Sequence, residues 1–342
     1  MWAGHAPAIR PTVSALPYVF LPGDPDVEHG VRRIAGELAA STLKGLSDAR
    51  TPLAARVHEG RKAVKKLRGL IRLVRPAFAR YRAETAALRD CAAALAPLRE
   101  AEMRLSTLAA LAPADEAAAA PLIARLEAVR QAALAPERLE AALADYARGL
   151  AAVARRARRW EIRPRGARAL AAGLARTWHD ARAELAALDA GPGGNGEAAP
   201  DPAVVHALRK RVKDHWYQAR LMRPVFPERL DAEIAAFDRL GEALGRHQDL
   251  SDLAAHLDET GMPLPPALAA AERRLQADIL RDSLPLARRL LAGSPEDLAD
   301  RWRTWWTLWR AESALAPASA TVVRLPGAPR SAPRSRPPRK AR

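Results

Sequence analysis

Residues 57–65 read Val-His-Glu-Gly-Arg-Lys-Ala-Val-Lys, and residues 205–213 read Val-His-Ala-Leu-Arg-Lys-Arg-Val-Lys. One chain thus carries the spacing His-x-x-Arg-Lys-x-x-Lys twice. These side chain types bind anions. Arg presents paired N–H donors to phosphate oxygens, Lys supplies a mobile point charge, and His donates from one ring nitrogen even when neutral. Each His also lies within two turns of a Pro-marked helix start, where free backbone N–H groups favour anions.

The likeness runs past the motif. Laying Val57–Phe78 over Val205–Phe226 without a gap matches eleven of 22 positions, which points to a duplicated half-domain. At about 100° per residue, Arg61, Lys62, Lys65, Arg68 and Arg72 fall on the His58 side of a helix, as one stripe about 120° wide. Ala63, Val64, Leu67, Leu70, Ile71 and Val74 take the other side. In the second copy His206, Arg209, Lys210, Lys213 and Arg220 form the stripe, with Tyr217 inside it and Trp216 at its edge. Leu208, Val212, Ala219 and Met222 face inward.

An ordinary solvated face mixes Glu with Lys at i,i+4 spacing, because like charges so placed repel by a few tenths of a kcal/mol per pair. Residues 56–75 instead hold eight Arg or Lys against a single acid, Glu59. Such a row points to an anion that neutralises it.

The elements that must hold these stripes are helices. Ala, Leu, Arg and Glu fill every long segment, strand formers are sparse and aromatics are 5% of the chain. A helical pattern runs from Val27 to Leu188, and Thr51-Pro52, Asp201-Pro202 and Ser294-Pro295 each pair a capping residue with a proline that starts a helix. The expected organisation is an extended lead-in over 1–26 and an all-α domain over 27–313. That domain divides into halves at 27–190 and 201–313, each a bundle of about four helices, joined by a Gly/Pro linker at 191–200. The motif's recurrence suggests a pseudo-two-fold relation between the halves. A basic tail without periodicity follows over 314–342, and its composition reads as disordered.

The chain of 342 residues carries a formal charge of +16, which calls for a polyanion but does not choose among nucleic acid, anionic lipid and a phosphate polymer. The single cysteine, Cys91, leaves no intrachain disulfide or multi-Cys metal site and reads as a core residue. The N-terminal stretch lacks the basic region of a signal peptide, and no uncharged stretch approaches the roughly 18 apolar residues of a membrane span. A soluble, cytoplasmic protein is expected. Gly191–Gly196 spells GxGxxG, but a helical pattern rather than a strand precedes it, so it reads as linker. His58-Glu59 lacks the second His of a zinc protease motif, and no metal or cofactor is expected.

The duplicated motif at the head of a basic helix, in a long all-helical chain, resembles the CHAD domain, the conserved histidine α-helical domain. The resemblance covers residues 27–313. Leu244-Gly-Arg-His-Gln-Asp-Leu-Ser-Asp-Leu253 is similar to the Leu-Gly…Asp segment that follows the family's second motif, with Leu98-Arg-Glu-Ala-Glu-Met103 as its looser counterpart. The resemblance implies two pseudo-symmetric four-helix bundles with basic helices lining a central cleft. It also implies non-catalytic binding of inorganic polyphosphate, often at intracellular polyphosphate granules. Carried over by position, the contacts are His58, Arg61, Lys62, Lys65, Arg68 and Arg72, with His206, Arg209, Lys210, Lys213 and Arg220. Where the first copy has Lys66, Leu67 and Arg68, the second has Asp214, His215 and Trp216, which implies a weaker or differently shaped face. Many members are fused to a CYTH domain, a triphosphate hydrolase with Glu-x-Glu-x-Lys on a strand. That motif does not occur in this sequence, so no catalysis is expected. The alternative is an RNA- or DNA-binding protein, which the charge and the Arg/Pro tail also fit.

Other signals read as structural or stay open. Trp302, Trp305, Trp306 and Trp309 share one helical face with Leu298 and read as a buried packing surface. Glu100, Glu102, Asp249 and Asp252 read as partners that orient basic side chains. The Arg155–Arg168 cluster around Trp160 either extends the anion surface or is a solvated helix end.

Overall fold

A computed structural model describes residues 18–191 and 200–315, and among these the structure is all helical. Of the expected lead-in, linker and tail, residues 1–17, 192–199 and 316–342 lie outside the described residues, while Ala314 and Leu315, assigned to the tail, end a helix. The helices are α1 (Val27–Leu46), α2 (Leu53–Leu73), α3 (Tyr81–Ala94), α4 (Ala96–Leu111), α5 (Glu116–Ala133) and α6 (Pro136–Ala157). They are followed by α7 (Ala167–Ala190), α8 (Pro202–Met222), α9 (Pro227–Glu259), α10 (Pro266–Leu290) and α11 (Pro295–Leu315).

Local chemistry sets the helix ends. Asp26 caps α1 by accepting from the His29 amide at 2.8 Å, and Asp201 caps α8 by accepting from the Ala203 amide at 2.8 Å. Ser294 Oγ takes the Asp297 amide at the start of α11. Thr51, expected to cap α2, does not: Pro52 is the cap residue and no side chain bonds the first turn. Each repeat ends its basic helix in a short 3-10 turn, Arg75–Ala77 and Arg223–Val225, because Pro76 and Pro224 lack the N–H that an α-helix would need. Pro97 likewise breaks the first repeat into α3 and α4 at Leu95, whereas the second continues as the single 33-residue α9.

Helices α1, α2, α3 and α6 pack on one another. So do α7, α8 and α11, with α9 against α8. Although α7 lies before the linker in sequence, it therefore packs with the helices that follow it. A separate apolar cluster joins α4 and α5 to α10 and the far end of α9 through Leu108, Leu126, Leu253 and Leu268. The main core is continuous across the meeting of α2 and α8 and includes Leu67, Leu70, Leu73, Val205, Leu208 and Val212.

Residues 18–26 form no helix, but part of the segment joins the core. Tyr18 and Phe20 are buried, and the Phe20 amide donates to the Leu221 carbonyl at 3.2 Å. Cys91 is buried, as are Trp302, Trp306 and Trp309 of the α11 stripe. No described helix is long and apolar enough to cross a membrane.

Candidate anion-binding site

Helices α2 and α8 cross at a point made possible by a missing side chain. A β-carbon on Gly69 would stand 2.6 Å from Cβ of Tyr217, so only glycine lets the two backbones approach there. Tyr217, placed on the charged stripe by the helical wheel, is buried at this crossing with 7% of its surface exposed. The wheel treats α8 as an isolated cylinder, and α2 covers that part of it. Tyr18 lies edge-on to Tyr217 at 6.2 Å, and its hydroxyl donates to the Lys66 carbonyl at 2.7 Å.

On the N-terminal side of the crossing the two stripes converge. Lys65 is solvent-exposed, yet enough protein surrounds it to hold its ammonium down at about 8; the cations of Arg99, Arg61, Arg209 and Lys213 add to that effect. Three helices, α2, α4 and α8, thus direct positive charge at one place. Arg61 is half-buried and donates to the Leu95 carbonyl at 3.2 Å.

Helix α9 packs alongside α8. A β-carbon on Gly241 would strike Cδ of Lys213 at 2.4 Å, and one on Gly245 would lie 3.1 Å from the Arg209 guanidinium. These two glycines, one turn apart, make room for the long basic side chains of α8. Lys213 donates to Asp238 at 3.1 Å and to Glu242 at 3.0 Å. Burial lifts the Asp249 carboxyl above the usual range, although Arg209 and Arg99 oppose the shift. Arg209 Nε is buried and has no hydrogen-bond partner among the described residues.

The two histidines differ. His58 is exposed, whereas His206 is half-buried, and burial, then Lys210 and Arg209, hold its imidazole below the ordinary value. At neutral pH His206 is therefore a neutral donor or acceptor rather than a cation. Lys210 is exposed beside it, and Lys62 is paired with Glu59 at 3.3 Å.

On the C-terminal side the stripe turns inward. Arg72 is buried, donates to the Tyr81 hydroxyl at 3.2 Å and pairs with Asp214. Arg211 meets the same carboxylate at 3.1 Å, while Asp180 takes Arg176 at 3.0 Å and Arg75 at 3.6 Å. Arg72 thus braces α2 against α8, its guanidinium engaged by Asp214 and the Tyr81 hydroxyl. Burial, then Arg72, holds the Arg68 guanidinium below its ordinary value. Arg220 lies over the Trp216 ring at 4.5 Å, and Lys213 over the same ring at 4.0 Å.

The departure in the second motif has a structural use at each position. Asp214 holds Arg72 and Arg211. His215 is buried against Trp178, Phe237 and Trp302 and bonds Glu233 at 2.6 Å. Trp216 underlies two cations. In the Arg155–Arg168 cluster, Arg156 makes a two-pronged pair with buried Glu84 at 2.8 Å, and Trp160 is buried against Phe78. Of the acids read as orienting partners, Glu100 meets Arg104 at 3.4 Å, and Asp252 accepts from Gln248 at 2.6 Å. Arg99 and Lys66 are site residues that the stripe alone did not identify: one lies on a different helix, the other at the stripe's edge.

A family model, that of the CHAD domain, matches residues 33–258. The chain belongs to the CHAD domain family. Both basic helices of this CHAD domain, and the whole of α9 but its last residue, fall inside the matched span. The crystal structure of the CHAD domain from the plant Ricinus communis is similar, with a TM-score of 0.47 at 18% identity, covering 84% of this chain and 97% of that one. No curated protein matches the chain.

Proposed function

We propose that this CHAD domain binds inorganic polyphosphate, without catalysis, in a basic cleft between two pseudo-symmetric four-helix bundles whose facing walls are α2 and α8. The observation that carries the reading is the surrounding of Lys65 by Arg61, Arg99, Arg209 and Lys213, cations of three helices brought to one place. A flexible polymer with one charge per unit and no bases needs such a dense cationic surface. It needs no stacking platform, and the aromatic rings near the stripes are engaged from within: Tyr217 is buried, and Trp216 lies beneath Lys213 and Arg220.

A binding role rather than hydrolysis fits the carboxylates. Glu242 is engaged by Lys213, and no group of three or more metal-binding side chains lies among the described residues. The cellular setting that accords with this function is the cytoplasm, at polyphosphate granules.

The decisive experiment is competition at fixed salt. Labelled polyphosphate bound to the full chain is challenged with unlabelled polyphosphate, single-stranded RNA and duplex DNA of equal charge. Polyphosphate is expected to displace the label at much the lowest concentration, with log affinity falling linearly with log salt as counterions are released. Equal displacement by nucleic acid would establish the RNA- or DNA-binding alternative instead.

A further inference from the structure

The duplication places equivalent residues 148 positions apart, and the equivalence makes one contact informative. Arg72 corresponds to Arg220, and Asp214 corresponds to Lys66. The first repeat's Arg72 reaches across to Asp214 of the second and forms the buried pair described above. The equivalent contact would run between Arg220 and Lys66, and Arg220 lies near enough to depress the Lys66 ammonium. There the acid is replaced by a cation.

We propose that Lys66 and Arg220 form a phosphoryl-binding subsite, the unfilled counterpart of the Arg72–Asp214 ion pair, in which a ligand phosphate takes the place of the missing carboxylate. This deepens the polyphosphate reading and rests on it for the identity of the polymer.

The surroundings agree. Neither Lys66 nor Arg220 has an ion-pair partner among the described residues, whereas Arg72 and Arg211 share Asp214. Arg220 is held in place by the Trp216 face at 4.5 Å. Lys66 lies over the Tyr18 ring at 5.6 Å, and its backbone carbonyl is fixed by the Tyr18 hydroxyl. Burial, then Arg220 and Lys62, push the Lys66 ammonium below its ordinary value, with Glu59 opposing only in part. Two positioned cations that repel one another at rest gain from an anion placed between them. At the equivalent position Asp214 already supplies the negative charge to Arg72, whereas Arg220 has none among the described residues.

The test compares full-length wild type, Lys66→Asp, Lys66→Gln and the charge-matched control Arg125→Asp, which lies exposed on α5. Tm is measured without anion and with pyrophosphate, and affinity is measured for long-chain polyphosphate. Lys66→Asp is expected to raise the anion-free Tm by giving Arg220 a partner like the one Arg72 has. It should also lose the pyrophosphate-induced rise and weaken polymer binding by about tenfold or more, the loss of a charge-assisted contact. Lys66→Gln should lose the pyrophosphate response with little change in anion-free Tm. If both Lys66 variants keep the pyrophosphate response of Arg125→Asp while wild type binds the polymer, the subsite is wrong and the broader reading stands. If wild type responds to neither anion, both fall.

Discussion

Gly69 and Tyr217 hold the same position in the two repeats, and they touch: the β-carbon that Gly69 lacks would lie 2.6 Å from Cβ of Tyr217. A pair of identical bulky residues could not meet there. The two helices approach closely because one carries no side chain where the other fills the space.

That relationship predicts a steep cost for a small change. Gly69→Ala should lower stability by about 1–3 kcal/mol, the range for overpacking a filled contact. Gly173→Ala should cost more, because its β-carbon would stand 1.7 Å from the backbone carbonyl oxygen of Leu73, which cannot rotate away. Urea unfolding midpoints test the order, and an unchanged midpoint for Gly173→Ala would refute the packing of α7 on α2.

Removing Asp214 should hurt more than removing Arg72. Asp214→Asn leaves Arg72 without its carboxylate and Arg211 with only the longer contact to Asp180 at 3.8 Å, and breaking a buried pair costs about 3–5 kcal/mol. Arg72→Gln leaves Asp214 with Arg211 at 3.1 Å, so the loss should be smaller. Equal losses in denaturant titrations would mean that Arg211 does not compensate.

Affinity for polyphosphate should fall as pH rises above about 8. In the free protein Lys65 holds its proton only up to about 8, facing Arg61 on its own helix, Arg99 on α4, and Arg209 and Lys213 on α8, with Glu242 of α9 nearby. A bound polyanion raises that value, so the complex carries more protons than the free protein above pH 8, and affinity drops with pH there. Below pH 8 Lys65 is charged in both states and contributes no slope. Calorimetry in buffers of different ionisation enthalpy should show proton uptake, and Lys65→Arg should flatten the profile while retaining binding. A wild-type profile that is flat from pH 7 to 9 counts against Lys65 as a contact.

Gly245→Ala separates binding from folding. Its new methyl would press on the Arg209 guanidinium at 3.1 Å, the far end of a side chain that can swing aside. Tm should change little, while polyphosphate affinity should drop severalfold as Arg209 leaves its place. Unchanged affinity would show that Arg209 does not need the space left at Gly245.

The sequence alone determined the repeat, the helical class, the family resemblance and the apolar faces. Periodicity records which side of a helix is hidden, so Val64, Leu67 and Leu70, like Leu208 and Val212, were legible as core, and so was the Trp302–Trp309 stripe. It also recorded that Lys65 and Arg209 belong to charged rows.

Which charges meet was decided by the tertiary structure. A wheel places Arg72 and Lys65 on the same stripe, but Arg72 is spent on Asp214 of another helix while Lys65 stays exposed. Arg99 reaches the site, and α7 packs with the helices beyond the linker, through contacts between distant parts of the chain. Tyr217 is covered and Tyr18 is docked for the same reason. Helical periodicity is a property of a few consecutive turns, whereas the partner of a long basic side chain is set by where two helices cross. Here that crossing rests on one glycine.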